Sequence, residues 1–305
     1  MSFASKHDAA ANKGFLYAIF AYAVWGILPL YWRALTAIDA LHILACRILF
    51  SLVLVGIILL IMRNFSWLRV FKEPKKAGYM ILTCLILSFN WGFYIWAVNN
   101  GHILEASMGY YITPLVMVVL GLLFFRERLR SLQWAAVTVA LIGILILTLL
   151  SGVVPWISLL LALSFSLYGM MKKMVPLAAL ESLGAETLAG MPIGILLLSF
   201  TIKGADGFPV FTGFQGLEYL MDLPARTWVV LSLCGVVSAL PLYLFARGAK
   251  LLPLSGLGFI QFLSPTIQFM LGIFVFGNAF LPYHAAAFGC IWSAVILYVI
   301  SLKIV

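Results

Sequence analysis

Apolar residues run in long blocks along this chain, and polar residues fall almost only between them. Runs bounded by charge, Pro or Gly predict ten helices at about 14–35, 40–62, 77–98, 103–125, 131–150, 154–172, 183–202, 227–248, 252–276 and 283–303. Each is near the 20 residues that a helix needs to cross a bilayer. Periodicity cannot separate strand from helix in runs this apolar, but length can. A transmembrane barrel would instead show alternating segments of about ten residues, and none occurs. The pattern predicts an all-α, ten-span membrane protein.

Composition removes the alternatives. Of 305 residues, 64% are hydrophobic and only 10% charged, with a mean hydropathy of +1.12. A water-facing globule lacks the polar residues to coat such a core. The first run, from Gly14 to about Leu35, exceeds a signal peptide's apolar region and is expected to stay as a span. Cys46, Cys84, Cys234 and Cys290 are scattered through apolar runs and form no CxxC pair, so neither a disulfide frame nor a metal site is expected.

The net charge of +9 invites a nucleic-acid reading, which position opposes. Basic residues cluster between spans, as Arg63/Arg69/Lys72/Lys75/Lys76, Arg126/Arg128/Arg130, Lys172/Lys173 and Arg247/Lys250. With both termini cytoplasmic, about 15 of the 19 lie inside. Only Lys203 and Arg226 then lie outside, and Arg33 and Arg47 sit within spans. The longest loop, 203–226, with Asp206, Glu218 and Asp222, falls outside.

The chain also repeats itself. Tyr94-Ile-Trp-Ala97 matches Tyr243-Leu-Phe-Ala246, Pro114 to Gly121 matches Pro265 to Gly272, and Trp25-Gly26 faces Tyr168-Gly169. The offset stays near 143–151 residues, which divides the chain into five-span halves, 1–150 and 151–305. Five is odd, so the second half would enter the membrane inverted, an architecture that secondary transporters use for alternating access.

Residues 90–129, NWGFYIWAVNNGHILEASMGYYITPLVMVVLGLLFFRERL, resemble the third-to-fourth span segment of RarD-type permeases. These belong to the EamA family of the drug/metabolite transporter superfamily. Trp25-Gly26, Arg47 and PLSGLGFIQFLSP (253–265) fit the same pattern. The resemblance implies ten helices, a bacterial inner (plasma) membrane and secondary transport of a small metabolite or drug-like molecule. One departure stands at 277–280, GNAF, where the first half has RERL (126–129). The carboxylate Glu127 therefore has no counterpart.

Arg47 lies eight residues past Asp39, about 12 Å into its helix. A charge at that depth costs on the order of 3 kcal/mol and needs a cavity or a partner. It is either an anchor for an anionic substrate or a structural cation, with Glu105, which starts the fourth span on the same side, as candidate partner. Glu105 is also a candidate proton-coupling carboxylate, or simply a helix start favoured by the dipole. Asn90 with Tyr94, Tyr243 with Arg247, and Gln261 with Ser264 and Gln268 form polar stripes. At lipid depth such stripes face a cavity or bond between helices.

Tyr22, Trp25, Trp91, Trp96, Tyr110 and Tyr111 lie deep enough to line a pocket or pack a core, whereas Trp67, Trp134, Trp156 and Trp228 suit the interface belt. Pro29, Pro114, Pro192, Pro241 and Pro265 interrupt spans, and Pro114 with Pro265 suit paired hinges. Gly190 and Gly194 form a GxxxG contact motif. Hydrolase, Walker A and metal-ligand motifs are missing, so no cofactor is expected. The expected partners are a small-molecule substrate, the bilayer and a coupling ion such as the proton. A membrane-integral enzyme acting on a lipid-linked substrate is the alternative; the sequence is silent on oligomeric state.

Overall fold

The computed structural model describes residues 3–100, 102–151, 156–202, 209–213, 215–277 and 281–303. Among these, ten helices are long and apolar enough to cross a membrane. Spans 1 to 5 are Ala11–Leu35, Ala40–Ile61, Pro74–Ala97, Glu105–Phe125 and Ser131–Leu150. Spans 6 to 10 are Trp156–Met174, Ala179–Leu197, Ala225–Leu251, Leu254–Phe274 and Pro282–Leu302. The protein is an all-α multi-pass membrane protein. Since ten is even, span 1 starts and span 10 ends on the same face, the near face.

Span 7 is the one whose limits differ materially from the pattern. It ends at Leu197, not 202, because Phe200–Ile202 (β1) pairs antiparallel with Pro209–Phe211 (β2). Aromatic and β-branched residues favour that pleated pairing. The two strands form a small hairpin in the far-face loop and leave the fold class unchanged. Lys203 and Asp206 of that loop, and 278–280 of the GNAF element, lie outside the described residues.

Spans 4 and 6 pack together, as do 9 and 1; spans 1 and 8 pair as do 6 and 3; spans 2 and 8 pair as do 7 and 3. Contacts 5–10, 2–7 and 4–9 complete the strongest set. Moving every number on by five returns these main pairings, while spans 6 and 8 also touch without an equally strong counterpart between spans 1 and 3. Glycine contacts follow suit. A Cβ on Gly26 of span 1 would meet Ile267 of span 9 at 2.7 Å, and one on Gly169 of span 6 would meet Met117 of span 4 at 3.2 Å.

The main apolar cluster occupies the near-face half, around Leu59, Met117, Tyr168, Phe245, Leu252 and Leu257. A second, around Phe259, Phe262, Ile291 and Tyr298, joins spans 4, 5, 9 and 10. Gly190 and Gly194 bring span 7 against Ile48 and Leu49 of span 2, as the GxxxG spacing suggests. Trp67 corrects the belt expectation: it is buried against Leu59 and Gly184, since the helix Ser66–Arg69 folds back onto span 7. Trp134 and Trp156 are exposed.

Of the interrupting prolines, only Pro265 stands beside a break, at Phe262 between Leu254–Gln261 and Leu263–Phe274. Its ring removes the donor that would have bonded the Gln261 carbonyl. Pro29, Pro114, Pro192 and Pro241 sit inside unbroken helices.

Candidate functional site

Inward-facing side chains of spans 1, 2, 3, 4, 6 and 9 enclose a cavity of about 530 Å³. It runs from the bundle centre to exposed Arg33, Thr36 and Phe276 on the far face, where it opens. Its floor is aromatic. Trp25 tilts onto Tyr22 with ring centres 5.5 Å apart and meets Phe165 edge-on at 5.7 Å. The Tyr22 hydroxyl donates to the Gln261 side-chain oxygen at 3.3 Å, tying span 1 to span 9. Higher in the wall, Tyr94 and Tyr110 face each other at 5.7 Å.

Arg47 stands in this wall without an acidic partner among the described residues. Its Nε donates to Ser238 Oγ at 3.0 Å, and its guanidinium lies 3.8 Å from the Trp91 ring centre and 4.9 Å from that of Trp32. Two π faces and a hydroxyl orient the cation but do not neutralise it. Arg33, over Phe276 at 5.6 Å, adds a second positive charge at the mouth.

Amides complete the polar lining. Asn90 donates to the Leu161 carbonyl at 3.0 Å and Ser164 Oγ at 2.8 Å, while its buried oxygen has no hydrogen-bond partner. Such an orphan acceptor inside a cavity wall asks for a donor from water or a ligand. Gln268 donates to the Trp25 carbonyl at 3.2 Å and to Ser264 Oγ at 3.4 Å. Tyr22, Trp25, Arg47, Asn90, Tyr94, Tyr110, Gln261 and Ser264 therefore share one cavity, and Pro29 lies in its wall.

Other candidates fall elsewhere. Glu105 bonds His102 Nδ1 at 3.0 Å, so the suggested Arg47–Glu105 pair does not form, because the helix start supplies a nearer partner. The Tyr111 hydroxyl donates to the Pro265 carbonyl at 3.0 Å. Tyr243 accepts from Arg247 at 3.1 Å, and Arg247 also bonds the Tyr17 hydroxyl at 3.1 Å; neither residue lines the cavity. Trp32 was not singled out, although its place between Arg47 and the mouth matches that of the deeper aromatics. Lys172, assigned by sequence to a cytoplasmic cluster, is wholly buried and pairs with Glu186.

On the near face the bundle is sealed. Span 4 ends with Arg126 in the left-handed region at φ 52°, which turns the next residue back on the bundle. Glu127 then accepts from Leu254 N at 2.5 Å, Ser255 N at 3.1 Å and Ser255 Oγ at 2.7 Å. A carboxylate thus caps the N-terminus of span 9, where the helix dipole favours it. A Cβ on Gly121 would come 2.7 Å from Glu127 Oε2, so glycine there makes the room. Gly258 likewise lets span 9 approach the Pro114 carbonyl, 2.8 Å from where its Cβ would be. Lys173 donates to the Ala249 and Leu252 carbonyls, and Lys250 to those of Val175 and Leu177.

Comparison with known proteins gives consistent matches. Residues 12–149 match the EamA-like transporter family. The chain is 42% identical over 299 residues to the uncharacterized transporter YojE of Bacillus subtilis, covering 96% of this chain and 95% of that one. It is 40% identical over 293 residues to protein RarD of Streptomyces exfoliatus, covering 96% and 90%. A crystal structure at 19% identity superposes with a TM-score of 0.70, covering 96% of this chain and 99% of the other, and so shares the fold.

Proposed function

Because the chain belongs to the EamA-like transporter family, we propose that it is a secondary transporter moving a small, carboxylate-bearing or otherwise anionic metabolite or drug-like molecule across the bacterial inner membrane by alternating access. The observation that carries this reading is one cavity, open on the far face and closed on the near face, with a guanidinium lacking a counter-anion in its wall. A solute carboxylate would supply that charge. The aromatic floor would hold its planar or apolar part.

The two five-span halves, 1–150 and 151–305, act as inverted repeats in this reading, supported by the main span pairings, which map onto one another. Rocking of one half against the other would open the near-face seam and close the mouth at Arg33 and Phe276. Nothing in the site favours the enzyme alternative. Indoles, phenols, amides and guanidinium line the cavity, without a clustered acid and base among the described residues.

Uptake by proteoliposomes, with a panel of carboxylates, cations and neutral drug-like solutes, tests the function. Saturable uptake of anionic members is expected; uptake of none of the panel above empty liposomes overturns it.

Two further results are expected. With the near face cytoplasmic, as its exposed Arg63, Lys72 and Arg128 favour, cysteine at 222 in intact cells reacts with an impermeant maleimide and cysteine at 72 does not. The opposite pattern reverses the orientation. Pro265→Ala restores a backbone bond at the break in span 9, so melting temperature holds or rises while transport slows by about tenfold. Pro114→Ala, in an unbroken helix, slows it less. Equal, wild-type rates in both would make these ordinary kinks.

A further inference from the structure

Charge in the large cavity is one-sided. Arg33 and Arg47 are the charged residues of its wall among those described, and none of the wall is acidic. Neither arginine forms an ion pair among the described residues. Two carboxylates at the far face are engaged elsewhere. Asp39 accepts from Leu41 N at 2.8 Å at the start of span 2, and Glu105 bonds His102. Aromatic faces orient each guanidinium instead, Phe276 that of Arg33 at 5.6 Å, and Trp91 and Trp32 that of Arg47. Such contacts direct a cation without cancelling its charge.

The two cations stand at different depths. At about 1.5 Å per residue from the far-face ends of spans 1 and 2, Arg33 lies about 3 Å down and Arg47 about 10 Å. On the same scale the aromatic floor lies deeper, with Trp25 at about 15 Å and Tyr22 at about 20 Å. Descending from the mouth, the cavity therefore offers a cation, a second cation, then π faces. A single carboxylate gripped bidentately by one guanidinium leaves the other unmatched.

We propose that the solute of this site carries two anionic groups a few bonds apart at one end and a planar or apolar body at the other. Arg47 holds the inner anion, Arg33 selects for the outer one, and the rings of Trp25 and Tyr22 take the body. The proposal rests on the transporter reading above and narrows its anion to a dianion. Arg33 is exposed, so water and salt screen it more than they screen Arg47. The apolar walls near it, Trp32, Ile43 and Phe276, concentrate its field within the mouth. A zwitterion of the same size fits less well, since its ammonium would add a third positive charge to a wall without a carboxylate.

The probes are succinate, glutarate and adipate bearing a phenyl ring beside one carboxylate. Each is paired with its monomethyl ester, which masks the distal carboxylate and keeps the shape. Calorimetric titration of the purified protein near neutral pH gives a dissociation constant for every member. At least one diacid should bind about tenfold more tightly than its ester, and the preference should shrink severalfold between about 50 and 500 mM salt. Arg33→Gln should weaken that diacid about tenfold and its ester much less, whereas Arg33→Lys, which keeps the charge, should retain most of the preference.

A ratio near one for every pair overturns the proposal. So does an Arg33→Gln variant that keeps the parent's ratio or weakens both ligands alike. Should that variant not fold, a preference that salt leaves unchanged overturns it equally. Phenylalanine binding more tightly than every diacid overturns it too. Uptake of monoanions by proteoliposomes without any diacid preference removes the two-anion site alone. A diacid preference in protein that takes up no member of the panel keeps the two-anion site and removes the transport reading instead.

Discussion

Arg47→Ala is expected to bring solute uptake to the level of empty liposomes while the protein still inserts and stays monodisperse. Ser238, Trp32 and Trp91 hold the guanidinium in place, so the variant loses an oriented cation together with one hydrogen bond from span 2 to span 8. Removing one member of a desolvated charge pair with the substrate costs about 3 kcal/mol, roughly two orders of magnitude in kcat/KM. Arg47→Lys keeps the charge but loses the planar fork and the stacking on both indoles, for a loss of about tenfold. The double change Arg47→Ala/Glu105→Ala should transport no better than Arg47→Ala, because Glu105 is held by His102. Rescue in the double variant would restore the ion-pair reading. Wild-type uptake by Arg47→Ala would sink both.

The spans were legible in the sequence because bilayer thickness imposes a length that any apolar run must meet. So were most cavity residues. A polar or aromatic side chain at mid-span has few places to go, and Asn90, Gln261 and Tyr22 went to the large cavity. The same reasoning misplaced Tyr243 and Tyr111, since depth says nothing about which way a helix is turned. Glu105 showed the opposite difficulty: its depth suited Arg47, but His102 three residues earlier lay within reach.

Lys172 was missed for a different reason. Beside Lys173 at the end of an apolar run it looks like loop charge, and only the packing of span 7 shows that one lysine turns inward. A signal was present in Glu186. A carboxylate seven residues past Ala179 in a span demands a partner, and a basic residue near the preceding span end was available. The near-face clasp was half legible: Glu127 marked the departure from symmetry, but its target, a helix N-terminus 127 residues away, was not readable.

That asymmetry leads to the second large effect. Glu127→Ala should shift the protein toward a conformation open at the near face. Three donors from Leu254 and Ser255 lose a charged acceptor, and such bonds contribute about 1.5–3 kcal/mol each when fully counted. Even about 3 kcal/mol in all takes a 99:1 equilibrium to near parity. Spin labels at the exposed positions 128 and 251 should then report a longer distance in a large fraction of molecules. Glu127→Gln keeps one acceptor oxygen without the charge and should fall between. Among the described residues the second half shows no equivalent clasp: Gly277 turns at φ 72° where Arg126 turns at 52°, and the GNAF element carries no carboxylate. In the proposed alternating-access cycle, closure of the far face would then rely on packing and on the solute, with Glu127 joining Lys173 and Lys250 as charged contacts on the near-face side. Unchanged distances in folded Glu127→Ala would show that apolar packing around Leu252 and Leu257 holds the seam by itself.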